Sequence, residues 1–190
     1  MLLNHLTLNP MSGLLESIKY LPTTHYDERP QGISIDMIVI HGISLPPGEF
    51  GTLDVENFFC GQLDTSLHPT YSSLSNVRVS SHLFIKRSGE MVQFVPFLKR
   101  AWHAGQSIFQ GRSNCNDFSI GIELEGTDEI PYEKKQYQQL LSVIQLLMRY
   151  YPAITPERVV GHVDIAPGRK TDPGPKFDWV WLKTQMTENS

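Results

Sequence analysis

Residues 161–175 read Gly-His-Val-Asp-Ile-Ala-Pro-Gly-Arg-Lys-Thr-Asp-Pro-Gly-Pro, placing His162 and Asp172 ten residues apart with Lys170 two residues before the aspartate. Three glycines and three prolines in this stretch make a stiff, locally determined loop, the kind of backbone that holds side chains in a fixed relation. An imidazole and a carboxylate returned to one point beside a lysine are half of a metal site with a cationic helper. The plainer reading is a loop histidine and an aspartate that caps the following helix. Two further candidates sit on apolar runs. His41 ends the nearly continuous run Ile35–Ile40 and opens the loop Gly42-Ile43-Ser44-Leu45-Pro46-Pro47-Gly48, the position where α/β sheets commonly place chemistry. Glu123 lies in Ser119–Glu125, where alternation puts Ile120, Ile122 and Leu124 on one face and Ser119, Gly121, Glu123 and Glu125 on the other. A carboxylate inside a strand is expensive without a task or a partner, and Gly121 on its face leaves room for a ligand or another backbone. The alternative is an exposed edge strand with an acidic outer face.

Combined, His41, His162 and Asp172 supply two neutral nitrogens and one carboxylate, the ligand class of catalytic zinc with a fourth position for water. Zinc lowers the pKa of such a water towards 7, Glu123 is a natural general base for it, and Lys170 can stabilise the oxyanion formed on an attacked carbonyl. The parts add up to metal-assisted amide hydrolysis.

The elements that must position these residues follow from periodicity. Ser80–Lys86 and Met91–Pro96 flank Arg87-Ser88-Gly89-Glu90 as a hairpin, with His82, Phe84 and Lys86 on one face and His82 read as packing. Residues 133–150 predict one clear helix, its stripe Tyr137, Leu140, Leu141, Ile144 and Met148 serving the core. A short helix is expected over Asp54–Phe59, and a last one from near Pro175 carrying Phe177, Val180 and Trp181. Residues 1–33, broken by Asn9-Pro10, Pro22 and Arg29-Pro30, read as a loosely structured lead-in with His25 on the surface. Ala101-Trp102-His103-Ala104-Gly105 is a small-residue loop that could line a pocket, although Trp102 could equally anchor the core.

A chain of 190 residues with net charge −4 has the size for one domain with a sizeable core and no basic field for nucleic acid or anionic membrane. Two cysteines, Cys60 and Cys115, are not a disulfide framework and read as free thiols of a reducing compartment. The segment Met1–Leu21 lacks the features of a signal peptide and no apolar run approaches the length of a membrane span, so a cytoplasmic location is expected.

His41-Gly-Ile-Ser-Leu-Pro-Pro-Gly, Arg78-Val-Ser-Ser-His82, Ala101-Trp-His-Ala-Gly, Cys115-Asn-Asp-Phe-Ser-Ile-Gly-Ile-Glu-Leu-Glu-Gly-Thr-Asp128 and the 161–175 stretch resemble, in order from about residue 20 to 182, the zinc N-acetylmuramoyl-L-alanine amidases, a family shared with phage lysozyme-type amidases and peptidoglycan recognition proteins. The resemblance implies an α/β fold, a central mixed β-sheet flanked by helices, in one domain over 31–184 with a zinc groove at one face, a lead-in over 1–30 and a polar tail over 185–190. It implies one Zn2+ held by His41, His162 and Asp172, with Glu123 as acid/base and Lys170 as the transition-state lysine. It further implies a small muropeptide substrate cut between the lactyl group of (1,6-anhydro-)N-acetylmuramic acid and L-alanine, in peptidoglycan recycling. Arg78, Trp102 and His103 are the candidates for substrate binding, a guanidinium suiting a carboxylate or sugar. No obligate protein partner, nucleic acid or membrane is implied. The chain departs from the family pattern at Gly42, Thr70 and Asn114, where Asn, an aromatic and Arg are usual. Three rivals are a muropeptide-binding module without catalysis, which typically lacks a zinc ligand, an exported amidase acting on intact wall, and an α/β domain whose histidines are structural.

Overall fold

The computed structural model describes residues 6–188; residues 1–5 of the lead-in and 189–190 of the tail lie outside it. Its sheet has six strands: β1 (Lys19–Tyr20), β2 (Met37–Ile43), β3 (Leu83–Ile85), β4 (Met91–Gln93), β5 (Ser119–Glu125) and β6 (Val159–Gly161). Their spatial order is β6-β2-β5-β3-β4-β1, parallel throughout except for the β3–β4 hairpin. The helices are α1 (Asp54–Phe59), α2 (Lys134–Tyr150), α3 (His162–Ile165) and α4 (Trp179–Glu188). This is the mixed sheet flanked by helices that the sequence implies.

The central strands are apolar on both faces because both are covered. Ile38, Ile40, Ile120, Ile122, Leu124, Leu83 and Ile85 pack with Leu140, Val143, Ile144 and Leu147 of α2, joined by Leu182 and Met186 of α4. On the opposite face Met37 and Val39 meet Cys115, Phe118 and Val160, while Phe84 and Val92 meet Val55, Phe58 and Phe59 of α1. The predicted α2 stripe is seen at Leu140 and Ile144, and the buried face also takes in Val143 and Leu147. Buried Gln136 accepts from the Glu133 N–H and donates to Ile85 O and Glu125 O, so the start of α2 is tied to the carboxyl ends of β3 and β5.

Three expectations need correction. The lead-in is not loose. Leu8–Asn9 pairs with Leu14–Leu15, Leu8 and Leu15 enter the main core, and Lys19–Tyr20 is the edge strand of the sheet. Arg29 reaches inward and donates to the carbonyls of Asn116, Asp117, Phe97 and Ser119. Two-residue ladders are too short to leave a periodic signal, which is why proline spacing alone misreads the segment. His25 is buried, 8% exposed, with Nδ1 against Val79 O. The last helix begins at Trp179 rather than near Pro175, because the Asp178 carboxylate accepts the Trp181 N–H as a cap, and this turns Val180 outward at 79% exposure.

Candidate functional site

Parallel register decides which side chains meet. Glu123 on β5 pairs with His41 on β2, and Gly161 on β6 pairs with Ile40, so the next residue, His162, emerges beside His41. Three carboxyl strand ends thus bring His41, Glu123 and His162 into one row at the end of the sheet where α/β folds hold ligands. The 161–175 loop then returns Asp172 to this row. Its path is held by Val163 N–H donating to Asp172 O at 3.0 Å, by Arg169 Nη2 donating to Ala104 O and Gln106 O, and by the Tyr132 hydroxyl donating to Pro173 O at 2.9 Å.

His41 Nδ1, His162 Nδ1 and Asp172 Oδ2 converge, at 3.0 Å between the nitrogens and 3.2 and 3.1 Å from each to the carboxylate. These three residues offer ligand atoms that all lie within 4.8 Å of one another. Donors around one tetrahedral cation at about 2.0–2.1 Å stand about 3.3 Å apart, so the spacing fits a single small ion. His162 Nε2 faces the Ala104 carbonyl at 3.1 Å and must donate to it, so the neutral tautomer that fits this contact has its lone pair on Nδ1. Burial pulls His41 down to about 4, against the opposing effect of Asp172, so this ring is neutral near pH 7. Two imidazole nitrogens and one carboxylate oxygen at this spacing are a donor set that suits a divalent cation.

Glu123 lies alongside, with Oε1 at 3.9 Å from His41 Nδ1 and Oε2 buried without a hydrogen-bond partner among the described residues. Burial, reinforced by Asp172 and opposed by Lys170, pushes its carboxyl well above the usual range. The alternative of an exposed acidic edge does not hold, since β5 is an interior strand buried along its length. Lys170 is exposed at the rim, within electrostatic reach of both His41 and Glu123.

The substrate-binding candidates separate. Trp102 is half-buried and stacks on His25 at 6.1 Å with an interplanar angle of 10°. Arg78 is exposed, two residues before Ser80, whose N–H donates to Trp102 O, so the two lie on neighbouring stretches of chain. His103 is instead buried against His41. The space expected beside Gly121 for a ligand is filled by that imidazole, because a Cβ at Gly121 would collide with the His103 ring. His82 packs inside, Nδ1 accepting from Gly121 N–H and Nε2 donating to Lys99 O. Sequence reading gave no role to Asn116, although it lies within the quoted Cys115–Asp128 motif and its Oδ1 accepts from both His103 N–H and Ala104 N–H, nor to Tyr132, which has no periodic or motif signal of its own.

Two departures from the family pattern have local causes. Asn114 stands at φ 59°, a left-handed backbone that Asn tolerates well. At Gly42 a Cβ would overlap the Tyr132 hydroxyl, and the same ring lies where a Cβ on Gly126 would go. Tyr132 therefore occupies a slot floored by glycines and reaches Pro173, the neighbour of Asp172. Gly42→Ala is expected to dislodge the hydroxyl from Pro173 O, lower stability by about 1–3 kcal/mol, and weaken metal binding. Thermal unfolding with and without zinc checks this; unchanged values in both would show that the slot has slack.

A mixed α/β sheet bearing two imidazoles, a carboxylate and a buried glutamate at its carboxyl edge has the make-up of a hydrolytic centre whose three converging donors could hold a metal ion. Residues 31–175 match the model of the N-acetylmuramoyl-L-alanine amidase family, and the chain belongs to that family of enzymes. It is 51% identical over 178 residues to the 1,6-anhydro-N-acetylmuramyl-L-alanine amidase AmpD of Citrobacter freundii, covering 94% of this chain and 95% of that protein. A crystal structure of a selenomethionine derivative of AmpD superposes with a TM-score of 0.91 at 50% identity, covering 95% of this chain and 99% of the other. The amidase AmiD from E. coli, solved with anhydro-N-acetylmuramic acid-L-Ala-D-γ-Glu-L-Lys as substrate, is 34% identical with a TM-score of 0.58, over 83% of this chain and 60% of that one.

Proposed function

We propose that this chain hydrolyses the amide between the lactyl group of 1,6-anhydro-N-acetylmuramic acid and L-alanine in small muropeptides, as a zinc enzyme of peptidoglycan recycling acting in the cytoplasm. The observation that carries the reading is the convergence of His41 Nδ1, His162 Nδ1 and Asp172 Oδ2 beside the partnerless Glu123 Oε2, in a member of an amidase family. His41, His162 and Asp172 would hold the metal. Bound zinc supplies Lewis acidity towards the amide carbonyl and towards water. Glu123 takes the proton of the attacking water on the oxygen that has no other partner, and delivers it to the departing nitrogen of L-alanine. Lys170, free at the rim, places its ammonium against the negative charge that builds on the carbonyl oxygen. Trp102 offers a face to the sugar, and Arg78 a planar fork to a carboxylate of the peptide stem.

Zinc content measured together with release of peptide from anhydromuramyl-tripeptide, before and after chelation and zinc restoration, tests this. One zinc per chain and chelator-sensitive cleavage are expected. Zinc without cleavage would sink the substrate reading, and absence of zinc would sink the ligand set.

A further inference from the structure

His103 stands outside the three converging donors, yet its Nδ1 lies 2.9 Å from His41 Nε2 and its Nε2 lies 3.1 Å from Ser119 Oγ. The direction of every bond in this row is set from its far end. Cys115 O is a backbone carbonyl and only accepts, so at 2.6 Å it takes the Ser119 hydroxyl proton. Ser119 Oγ, its one proton committed, has only lone pairs left, and His103 must donate to it from Nε2. The neutral His103 ring then carries a lone pair on Nδ1, and His41 donates to that from its own Nε2. His41 Nδ1 is thereby left bare, and it is the atom that faces His162 Nδ1 and Asp172 Oδ2.

We infer that Cys115 O, Ser119 and His103 form a one-directional hydrogen-bond relay that locks His41 in the Nε2–H tautomer and presents its Nδ1 to the metal point. His103 and Ser119 are positioning residues for a metal ligand, and this rests on the metal reading proposed above. The surroundings suit the task. His103 is buried, the edge of its ring set against His82 at a centroid distance of 5.7 Å. Gly121 gives it floor space, and Asn116 Oδ1 holds the backbone of its loop. The adjacent Ala104 O receives Nε2 of His162, so one short loop sets the tautomers of both histidines. Partners of this kind fix ring orientation and raise ligand basicity, and their loss typically costs 10–100-fold in metal affinity.

The test begins on the wild-type full chain loaded with zinc, by long-range 1H–15N correlation of the imidazoles near neutral pH. His103 is expected as the Nε2–H tautomer with an unprotonated Nδ1; an Nδ1–H or doubly protonated ring would overturn the relay. Zinc Kd by chelator competition then follows the variants. His103→Leu is expected to weaken zinc binding about 10- to 100-fold, and Ser119→Ala to act in the same direction. His103→Asn, whose Oδ1 reaches the position of the lost Nδ1 as an acceptor, is expected to recover most of the affinity. A merely packing role would make both His103 variants alike, or leave Kd unchanged in folded protein, and either result would overturn the inference. Failure of wild-type protein to bind zinc would remove the metal reading itself, a result distinct from zinc bound beside a His103 of the wrong tautomer.

Discussion

Glu123→Ala is expected to keep one zinc per chain and to lower kcat by about 10²–10⁴-fold, the usual worth of a positioned acid/base. The residue comes to 3.9 Å from His41 Nδ1 and is not one of the three converging donors, so the ligand set survives its truncation. Stability is expected to move the other way. Glu123 Oε2 is buried with no partner, a group that costs the folded state without compensation. Removing it is expected to stabilise the protein by on the order of 1 kcal/mol. Loss of activity joined to a gain in unfolding midpoint is the signature of a residue kept for chemistry. A structural carboxylate would give the reverse, a lower midpoint with turnover largely retained, and that outcome would remove Glu123 from the proton-transfer role. Glu123→Gln separates charge from volume, since it keeps the side chain's size and is expected to be equally inactive with zinc retained. Measuring metal content, steady-state turnover and thermal unfolding on the same preparations is sufficient.

What was legible in the sequence was what lies on regular elements or in dense motifs. The apolar run ending at His41 announces a strand covered on both faces, and β2 is that strand. The alternation around Glu123 puts it with Ser119 and Gly121 on one face, and that face carries both the orphan carboxylate and the relay serine. The periodicity of residues 133–150 yields α2 almost to the residue. Illegible were contacts that depend on where one irregular segment lands on another. Gly121 advertises empty space, but only the fold shows that the imidazole of His103, eighteen positions earlier, fills it. Gly42 reads as a lost contact until Tyr132, on the approach to α2, is seen lying over it. The half-buried Arg29 donates chiefly to backbone carbonyls, which carry no sequence signal, with His82 Nε2 alongside.

Asp172→Ala is expected to weaken zinc binding by more than the 10–100-fold that attends loss of a residue which merely orients a ligand, because it removes one of three donors and the only formal negative charge among them. The metal-free protein is not expected to suffer. His41 Nδ1, His162 Nδ1 and Asp172 Oδ2 lie within 3.2 Å of one another, and truncating the carboxylate leaves both rings in place. The backbone of residue 172 is retained, so its carbonyl still receives Val163 N–H and the loop keeps its path. The readout is therefore a difference. Wild-type protein with zinc at 100 times Kd is expected to gain about 2.7 kcal/mol over its metal-free form, and the variant to gain little at the same zinc concentration while its metal-free midpoint is level with or above wild type. A scan with and without zinc, followed by metal analysis after mild chelation, decides it. Undiminished zinc occupancy in Asp172→Ala would exclude the carboxylate as a ligand and leave two histidines alone to hold the ion, a set too small for the tight, charge-neutralising site that amide hydrolysis requires.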